Sequence, residues 1–252
     1  MSDSLPPLDE PQPLIKHLLE LRDRLLRALI AIFILFIPLF VFSQEIYTLV
    51  AKPLMDALPE GASMIATDVT SPFLVPFKLT LYISILLAMP IILHQAWAFI
   101  SPGLYRHEKR FAIPLLASSI VLFYSGVAFA YFIVFPVLFG FFTAIAPEGV
   151  AVMTDISRYL DFIITLFIAF GVAFEMPIAI MLLVWTGITT VESLREKRPY
   201  VVVGCFVVGM LLTPPDIISQ TLLAIPMWLL FEAGLIFANV LRVKLPDPPP
   251  ES

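Results

Sequence analysis

Long runs of apolar residues, separated by short polar stretches, make up most of the chain. A helix needs roughly 20 apolar residues to cross the hydrocarbon of a bilayer, and most of these runs approach or exceed that length. We therefore predict an all-α polytopic membrane protein that forms a single domain over residues 1–252. The six predicted transmembrane helices cover residues 25–42, 77–100, 112–142, 160–185, 200–212 and 217–241, and residues 243–252 form a polar tail.

Prolines and one short run should give this bundle its shape. A proline inside a helix removes an N–H donor and kinks the helix, so we expect a kinked, concave bundle. The run 200–212 would reach only about 20 Å across a hydrocarbon core of about 30 Å, so the bilayer thins there or the flanking prolines dip into it. The prolines inside or near the spans are Pro38, Pro90, Pro114, Pro136, Pro177 and Pro226.

Two amphipathic stretches accompany the spans. Residues 14–27 place leucines on one face at helical spacing and predict a helix in the membrane interface, with Glu20 on its wet face. Arg22 projects from the apolar face, which indicates either snorkelling to lipid phosphates or an ion pair with a distant carboxylate. A second stretch, residues 46–58, includes Pro53 and predicts a surface helix that caps the bundle.

Composition supports a membrane protein and charge gives its orientation. The chain is 60% hydrophobic and 14% charged, with a mean hydropathy of +0.96, which is too apolar for a soluble protein. An even number of spans places both termini on one side. Of the 15 Lys and Arg residues, only Lys52, Lys78 and Arg158 fall on the other side, so the positive-inside rule predicts cytoplasmic termini.

A candidate recognition loop follows the second span. Ser101-Pro-Gly breaks the helix, so the segment from Leu104 onward should emerge into water. Glu108 lies there among three cationic residues. It is either a surface acid that balances this charge or a carboxylate that receives a cationic ligand, with Phe99 and Leu104 holding an apolar part of that ligand.

Polar residues within apolar surroundings provide the remaining candidates. An ionised Glu175 would cost about 2.5–3.5 kcal/mol in mid-membrane, so it should face the bundle or a wet cavity. It would handle protons, contact a polar substrate, or form a neutral hydrogen bond to a neighbouring helix. Thr213, Asp216 and Gln220 form a polar group near the start of the last span, which indicates either helix capping or docking of another transmembrane helix.

Motifs for enzymatic chemistry are lacking. His107-Glu108 has no second histidine at the spacing of a zinc protease, and the sequence contains no phosphate-binding glycine loop. The single Cys205 excludes an intramolecular disulfide. We therefore predict neither an enzyme nor a protein that requires a metal or other cofactor, and we predict no nucleic-acid partner.

Eight short motifs, taken in order, resemble the TatC family, the receptor of twin-arginine protein export. They lie at residues 13–22, 66–68, 97–104, 131–132, 135–136, 170–177, 198–200 and 213–216. The resemblance implies a bacterial inner-membrane protein that binds the signal peptides of folded precursors. It also implies assembly with single-span TatA- and TatB-type partners, self-association in a larger complex, and dependence on the proton-motive force.

The same resemblance assigns roles to residues. It implies signal-peptide binding by Glu20, Phe99 and Glu108, and partner-helix contacts around Met210, Thr213 and Gln220. Glu175 corresponds to the family's mid-membrane glutamate. Arg22, Pro53, Asp68 and Asp216 are expected to serve structure or assembly. If the resemblance is set aside, the alternative is a proton-coupled transporter of small solutes that uses Glu175.

Overall fold

The structure, a computed structural model, describes residues 13–56, 58, 63–100, 109–145, 153–212 and 217–242. Throughout these ranges the regular structure is helical, apart from one isolated bridge between Ile65 and Asp155. The all-α prediction is confirmed. The helices are α1 (Pro13–Phe40), α2 (Ser43–Met55), α3 (Ser71–Ile100), α4 (Lys109–Phe129), α5 (Phe135–Ala144), α6 (Ile156–Phe174), α7 (Met176–Trp185), α8 (Val191–Glu196), α9 (Arg198–Leu212) and α10 (Ile217–Arg242).

Length and apolar character allow several of these segments to cross a membrane. Within the described ranges four segments qualify, and a fifth is formed if α1 and α2, which meet at a 91° bend, are counted together. The four are Ser71–Phe99, Ile113–Ala144, Ile156–Trp185 and Gln220–Val240. α9 is apolar but only 15 residues long, so a count of six spans that includes it stays a prediction.

The predicted interfacial helix over residues 14–27 is not a separate element. α1 continues without a break from Pro13 to Phe40, so the amphipathic stretch is its first half. From Leu18 to Leu26 the leucines of this half are exposed, whereas Glu20 and Arg24 are half-buried and Ala28 is buried. Lipid accepts leucine side chains as readily as a protein core does, so the leucine face of α1 can stay free, while on the polar face Glu20 and Arg24 are partly covered and Asp23 and Arg27 are exposed.

Two proline kinks are stabilised by tyrosine hydroxyls from other helices. Proline has no N–H, so the carbonyl four residues before it loses its usual partner. In α2, Pro53 leaves the Leu49 carbonyl free, and the Tyr131 hydroxyl donates to that carbonyl at 2.8 Å. In α3, Pro90 leaves the Leu86 carbonyl free, and the Tyr124 hydroxyl donates to it at 3.0 Å. Each kink therefore keeps its hydrogen bonding.

Two breaks interrupt the middle of the bundle. A π-helical turn, Ala130–Val134, joins α4 to α5 directly before Pro136. Glu175 separates α6 from α7, and Pro177 lies in the first turn of α7. Prolines and π-turns are common causes of helix bending, so these breaks follow from the prolines that the sequence places there.

The core lies where α4 and α6 approach most closely. An added Cβ at Gly171 would lie within 3.1 Å of the Phe123 ring, and Gly126 faces the α6 backbone at Phe170. Glycine permits this approach because no side chain separates the two helices. Around it pack Phe123, Phe135, Leu160, Ile163, Leu166 and Phe170, all of them buried.

The connection between α2 and α3 is tied to the start of α6. The Ile65 N–H donates to the Thr154 carbonyl at 3.0 Å, and the Ile156 N–H donates to the Ile65 carbonyl at 2.9 Å. Ser71 and Ser157 hydroxyls lie 2.7 Å apart next to this bridge. These contacts fix the end of the bundle opposite the start of α1.

Candidate functional site

Glu20 and Arg24 form the main charged contact at the first end of the bundle. Both the Nε and Nη2 atoms of Arg24 donate to one Glu20 carboxylate oxygen, at 3.1 and 2.5 Å. The side chains are 36% and 18% exposed, so the pair lies partly within the protein. The placement of Glu20 on the wet face of α1 stays a prediction, since Glu20 keeps about a third of its exposure and Asp23 and Arg27 on the same face are exposed. One carboxylate oxygen of Glu20 remains available to a second donor.

Phe99 is brought to the same end as Glu20. Its ring stacks on His17 with 4.2 Å between ring centroids and an interplanar angle of 21°. His17 precedes Glu20 by three positions, which is close to one helical turn, so both side chains leave α1 on neighbouring sides. The stack therefore joins the last turn of α3 to the first turns of α1. Leu104 and Glu108 lie outside the described residues, directly before α4 begins at Lys109.

Arg22 pairs with its neighbour in the sequence, and its snorkelling to lipid phosphates stays a prediction. Its Nη2 atom lies 2.7 Å from Asp23, the next residue, and the two side chains are 63% and 52% exposed. The predicted ion pair with a distant carboxylate is wrong for the described part of the chain. A pair this exposed contributes little to stability because water screens it.

Glu175 sits in the break between α6 and α7 and faces α4. One carboxyl oxygen accepts a hydrogen bond from the Ser119 hydroxyl at 2.5 Å, and Ser119 is buried. The other oxygen is buried and has no hydrogen-bond partner among the described residues. The prediction that Glu175 faces the bundle agrees with this geometry. A protonated carboxyl could hold this position at lower cost than a carboxylate, because the charged form is under-solvated here.

Contacts between α9 and α10 use one of the predicted partner residues internally. The Gln220 side-chain amide donates to the Phe206 carbonyl at 2.8 Å. An added Cβ at Gly209 would lie 3.1 Å from the Gln220 carbonyl, so the helices are close at this level. Met210 is 50% exposed beside them. Thr213 and Asp216 lie outside the described residues.

A second ion pair joins the other ends of these two helices. Arg198 at the start of α9 contacts Glu232 of α10 at 2.5 Å, with 22% of the Glu232 side chain exposed.

Asp155 holds the opposite end of the bundle together, and sequence reasoning missed it. It caps α6 by accepting from the N–H groups of Ser157 and Arg158, and its other oxygen accepts from the Thr67 hydroxyl at 2.6 Å and N–H at 3.0 Å. The Thr67 hydroxyl first, followed by the backbone donors, lowers the pKa of Asp155 from 3.8 to about 2. Asp68, which was predicted to serve structure, is exposed and accepts from the Ser71 N–H through its carbonyl.

Metal coordination finds no support in the described ranges, where no group of three potential ligands comes together.

The candidate functional residues that the structure describes lie in three separate regions. Glu20 and Phe99 share one end, Glu175 lies in the middle, and Gln220 lies at the contact of α9 with α10.

Comparison with known proteins decides the family. The family model described as Sec-independent protein translocase protein (TatC) matches residues 16–226. The chain belongs to the TatC family. A TatC protein from Azotobacter chroococcum mcd 1 is 65% identical over 237 residues, which cover 94% of this chain and 93% of that one. A TatC protein from Escherichia coli K12 is 60% identical over 232 residues, covering 92% of this chain and 90% of that one.

Solved TatC structures share the fold. A crystal structure described as the twin arginine translocase receptor TatC superimposes with a TM-score of 0.79 at 38% identity, covering 90% of this chain and 99% of that one. A second, of TatC in DDM, gives a TM-score of 0.78 at 36% identity, covering 88% of this chain and 99% of that one. The resemblance inferred from the sequence is therefore confirmed, and this TatC chain is a multi-pass membrane component of a protein translocase.

Two TatC features escaped the sequence reasoning for different reasons. Asp155 precedes Ile-Ser-Arg at the start of an apolar run, and this N-cap signal was available to predict its helix-capping role. Its second partner, Thr67, is 88 residues away, and no spacing rule connects the two. The Arg24 contact with Glu20 follows the i, i+4 rule and could also have been predicted.

Proposed function

We propose that this TatC chain is the receptor for twin-arginine signal peptides, held in the bacterial inner membrane with both termini in the cytoplasm. It acts by binding and has no catalytic role. The observation that carries the proposal is the end of the bundle where Glu20 lies beside the stacked rings of His17 and Phe99. This end combines a partly covered carboxylate with an apolar surface, which is what an arginine followed by hydrophobic residues requires.

Arginine recognition follows from the chemistry of the carboxylate. A guanidinium is planar, permanently charged and able to donate two parallel hydrogen bonds, whereas lysine offers a point charge. Glu20 already accepts two hydrogen bonds from the guanidinium of Arg24, both at the same carboxylate oxygen. We assign one arginine of the signal peptide to Glu20 and the other to Glu108, with Phe99 and Leu104 against the apolar part of the peptide.

Arg24 is then an internal competitor for the incoming arginine. Its side chain is 18% exposed and neutralises Glu20 when no peptide is present, which lowers the cost of keeping a half-covered carboxylate. The signal peptide must share Glu20 with Arg24 or displace it. Replacement of Arg24 by Gln should therefore raise the affinity for a twin-arginine peptide by up to about fivefold, the value of a weak ion pair.

Photocrosslinking tests the receptor proposal directly. A photoreactive residue at position 107 in membranes, which leaves Glu20 and Glu108 in place, should crosslink to a precursor with paired arginines and not to the same precursor with paired lysines. Glu20→Lys combined with Glu108→Lys should abolish precursor binding. Asp23→Lys is the matched control, since Asp23 lies on α1 but is 52% exposed and pairs with Arg22. A double variant that still distinguishes Arg-Arg from Lys-Lys would refute the assignment.

Assembly with TatA- and TatB-type partners is proposed to use α9 and α10. Met210 is half-exposed there, in agreement with a contact to a partner helix, whereas the Gln220 amide is already bonded to α9. Gln220→Leu should thus weaken partner binding by loosening α9 from α10, and Met210→Ala by removing contact area. Crosslinking yields to both single-span partners, measured beside precursor binding, separate these effects. If the crosslinking yields are unchanged in both variants, α9 and α10 do not form the interface with these partners.

A further inference from the structure

A groove at the end of the bundle opposite Glu20 lies between α2 and the π-helical turn. Its volume is about 600 Å³. Its apolar part runs along the α4–α5 segment, where Phe132 is 72% exposed, and its polar part lies on α2. The lining residues are Leu49, Lys52, Pro53, Asp56, Tyr131, Phe132 and Pro136.

Lys52 and Asp56 give the polar part of the groove both signs of charge. They are four residues apart, near and directly after the end of α2, and both are exposed. Neither forms an ion pair or a side-chain hydrogen bond with any other residue that the structure describes. Lysine placed before an acid at this spacing is the less favourable order for a helical pair, so both groups stay free for a ligand.

The two parts of the groove match different parts of a lipid. α2 meets α1 at 91°, so it lies across the end of the bundle where lipid headgroups are found, and Tyr131 and Phe132 belong to a segment long and apolar enough to span. Aromatic side chains at this depth are typical of the membrane interface. A ligand that occupies the whole groove therefore needs a hydrocarbon chain and a head with one positive and one negative group.

We propose that this groove binds the headgroup of a phosphatidylethanolamine molecule in the bilayer leaflet on this side. The Lys52 ammonium would donate to the lipid phosphate, and the Asp56 carboxylate would accept from the primary amine. A carboxylate favours a primary amine over the quaternary amine of phosphatidylcholine, because only the former has N–H donors. Phosphatidylglycerol would satisfy Lys52 but leave Asp56 beside an anionic lipid. An acyl chain lies along Phe132 and Pro136.

The proposal is tested by photocrosslinking of purified protein in phosphatidylcholine vesicles that contain a trace of photoactivatable phosphatidylethanolamine or phosphatidylglycerol. Labelled peptides are mapped by mass spectrometry. Phosphatidylethanolamine should label peptides containing residues 49–56 and 131–136, and unlabelled phosphatidylethanolamine should compete. Lys52→Gln and Asp56→Asn should each lower this labelling by about fivefold, the effect of one partly exposed charge contact.

Lys78→Gln is the matched control. Lys78 belongs to the same minority of cationic residues predicted on this side, is 51% exposed, lies outside the groove and pairs with Asp161 at 4.0 Å. Its labelling should equal that of the unmodified protein. Equal labelling by both lipids, or labelling that neither groove variant changes, would show ordinary boundary lipid and overturn the proposal. Protection of the groove by a precursor peptide and not by phosphatidylethanolamine would also overturn it, in favour of a peptide site.

Discussion

Gly126 offers a sharp test of the packing between α4 and α6. A Cβ added at this position would lie 2.9 Å from the Phe170 carbonyl carbon and 2.9 Å from the Cγ atom of Phe174, and closer still to the Phe170 oxygen. Non-bonded carbon atoms settle at about 3.5 to 4.0 Å, so Gly126→Ala would force the two helices apart by about half an ångström or more. The obstructing atoms include backbone, which cannot rotate away.

The expected magnitude is the difference between two opposing effects. Forcing an extra methyl group into a packed interior costs about 1–3 kcal/mol. Alanine is favoured over glycine inside a helix by about 0.5–1 kcal/mol. Gly126→Ala should therefore destabilise the protein by about 1 kcal/mol, within a range of about 0–2.5 kcal/mol. Gly140→Ala isolates the second effect, because a Cβ there would have no neighbour within 4 Å.

Unfolding by SDS in mixed detergent micelles measures both variants. The fluorescence of the three tryptophans reports the transition, since none of them lies at the substituted positions. Gly126→Ala should unfold at a lower SDS fraction than the unmodified protein, and Gly140→Ala at an equal or higher one. If Gly126→Ala is as stable as Gly140→Ala, the α4–α6 contact relaxes easily and its close approach does not limit the core.

Three other predictions follow from single contacts. Glu175→Gln keeps an acceptor for the Ser119 hydroxyl and should preserve most export of a twin-arginine precursor. Glu175→Arg should abolish export, because a charged side chain in mid-membrane costs about 2.5–3.5 kcal/mol. Loss of export in the Gln variant with normal precursor binding would indicate proton transfer instead. Tyr131→Phe removes the donor to the exposed Leu49 carbonyl and should destabilise the protein by about 0.5–1.5 kcal/mol in SDS unfolding. Tyr82→Phe, whose hydroxyl makes no hydrogen bond among the described residues, should be neutral. The pKa of Asp155 is lowered from 3.8 to about 2, so the stabilisation that its carboxylate gives is present above pH 4 and is lost as the pH falls through about 2. Over that range the amides of Ile65 and Ile156 should lose protection against hydrogen exchange relative to their intrinsic exchange rates. This pH dependence should be absent in Asp155→Asn.

Apolar run length predicted the helices well, because crossing hydrocarbon imposes a length that is visible in sequence. The predicted spans overlap the described helices, although 25–42 runs two residues past the end of α1, Glu175 interrupts 160–185, and the 15-residue α9 is shorter than a full crossing. The family was identified from short sequence motifs, because motifs can be compared residue by residue without knowledge of the three-dimensional structure. The sequence was less informative about which face of each helix meets another helix.

Glu20 illustrates why faces are difficult to predict in lipid. In water, the apolar face of an amphipathic helix is buried and the charged face is free. In a bilayer the apolar face can be left to lipid, and part of the polar face can then pack against protein. In the first half of α1, Leu18 is 64% and Leu25 57% exposed, whereas the Arg24 side chain is only 18% exposed. The periodicity predicted leucines facing lipid, and the exposed leucines agree with that prediction; it did not show that Glu20 and Arg24 pair on a partly covered side of α1.

The hydrogen bonds at the two proline kinks also help to distinguish a receptor from a small-solute transporter. A transporter built on alternating access needs broken helices that change their packing, and the break at Glu175 would fit that requirement. At Pro53 and Pro90, however, the carbonyls that the kinks free are held by hydroxyls from neighbouring helices. Straightening or moving these kinks would break these two hydrogen bonds, at about 0.5–1.5 kcal/mol each. The bundle is thus stabilised in one bent shape, which favours a preformed surface for recognition over a scaffold that rocks between two states.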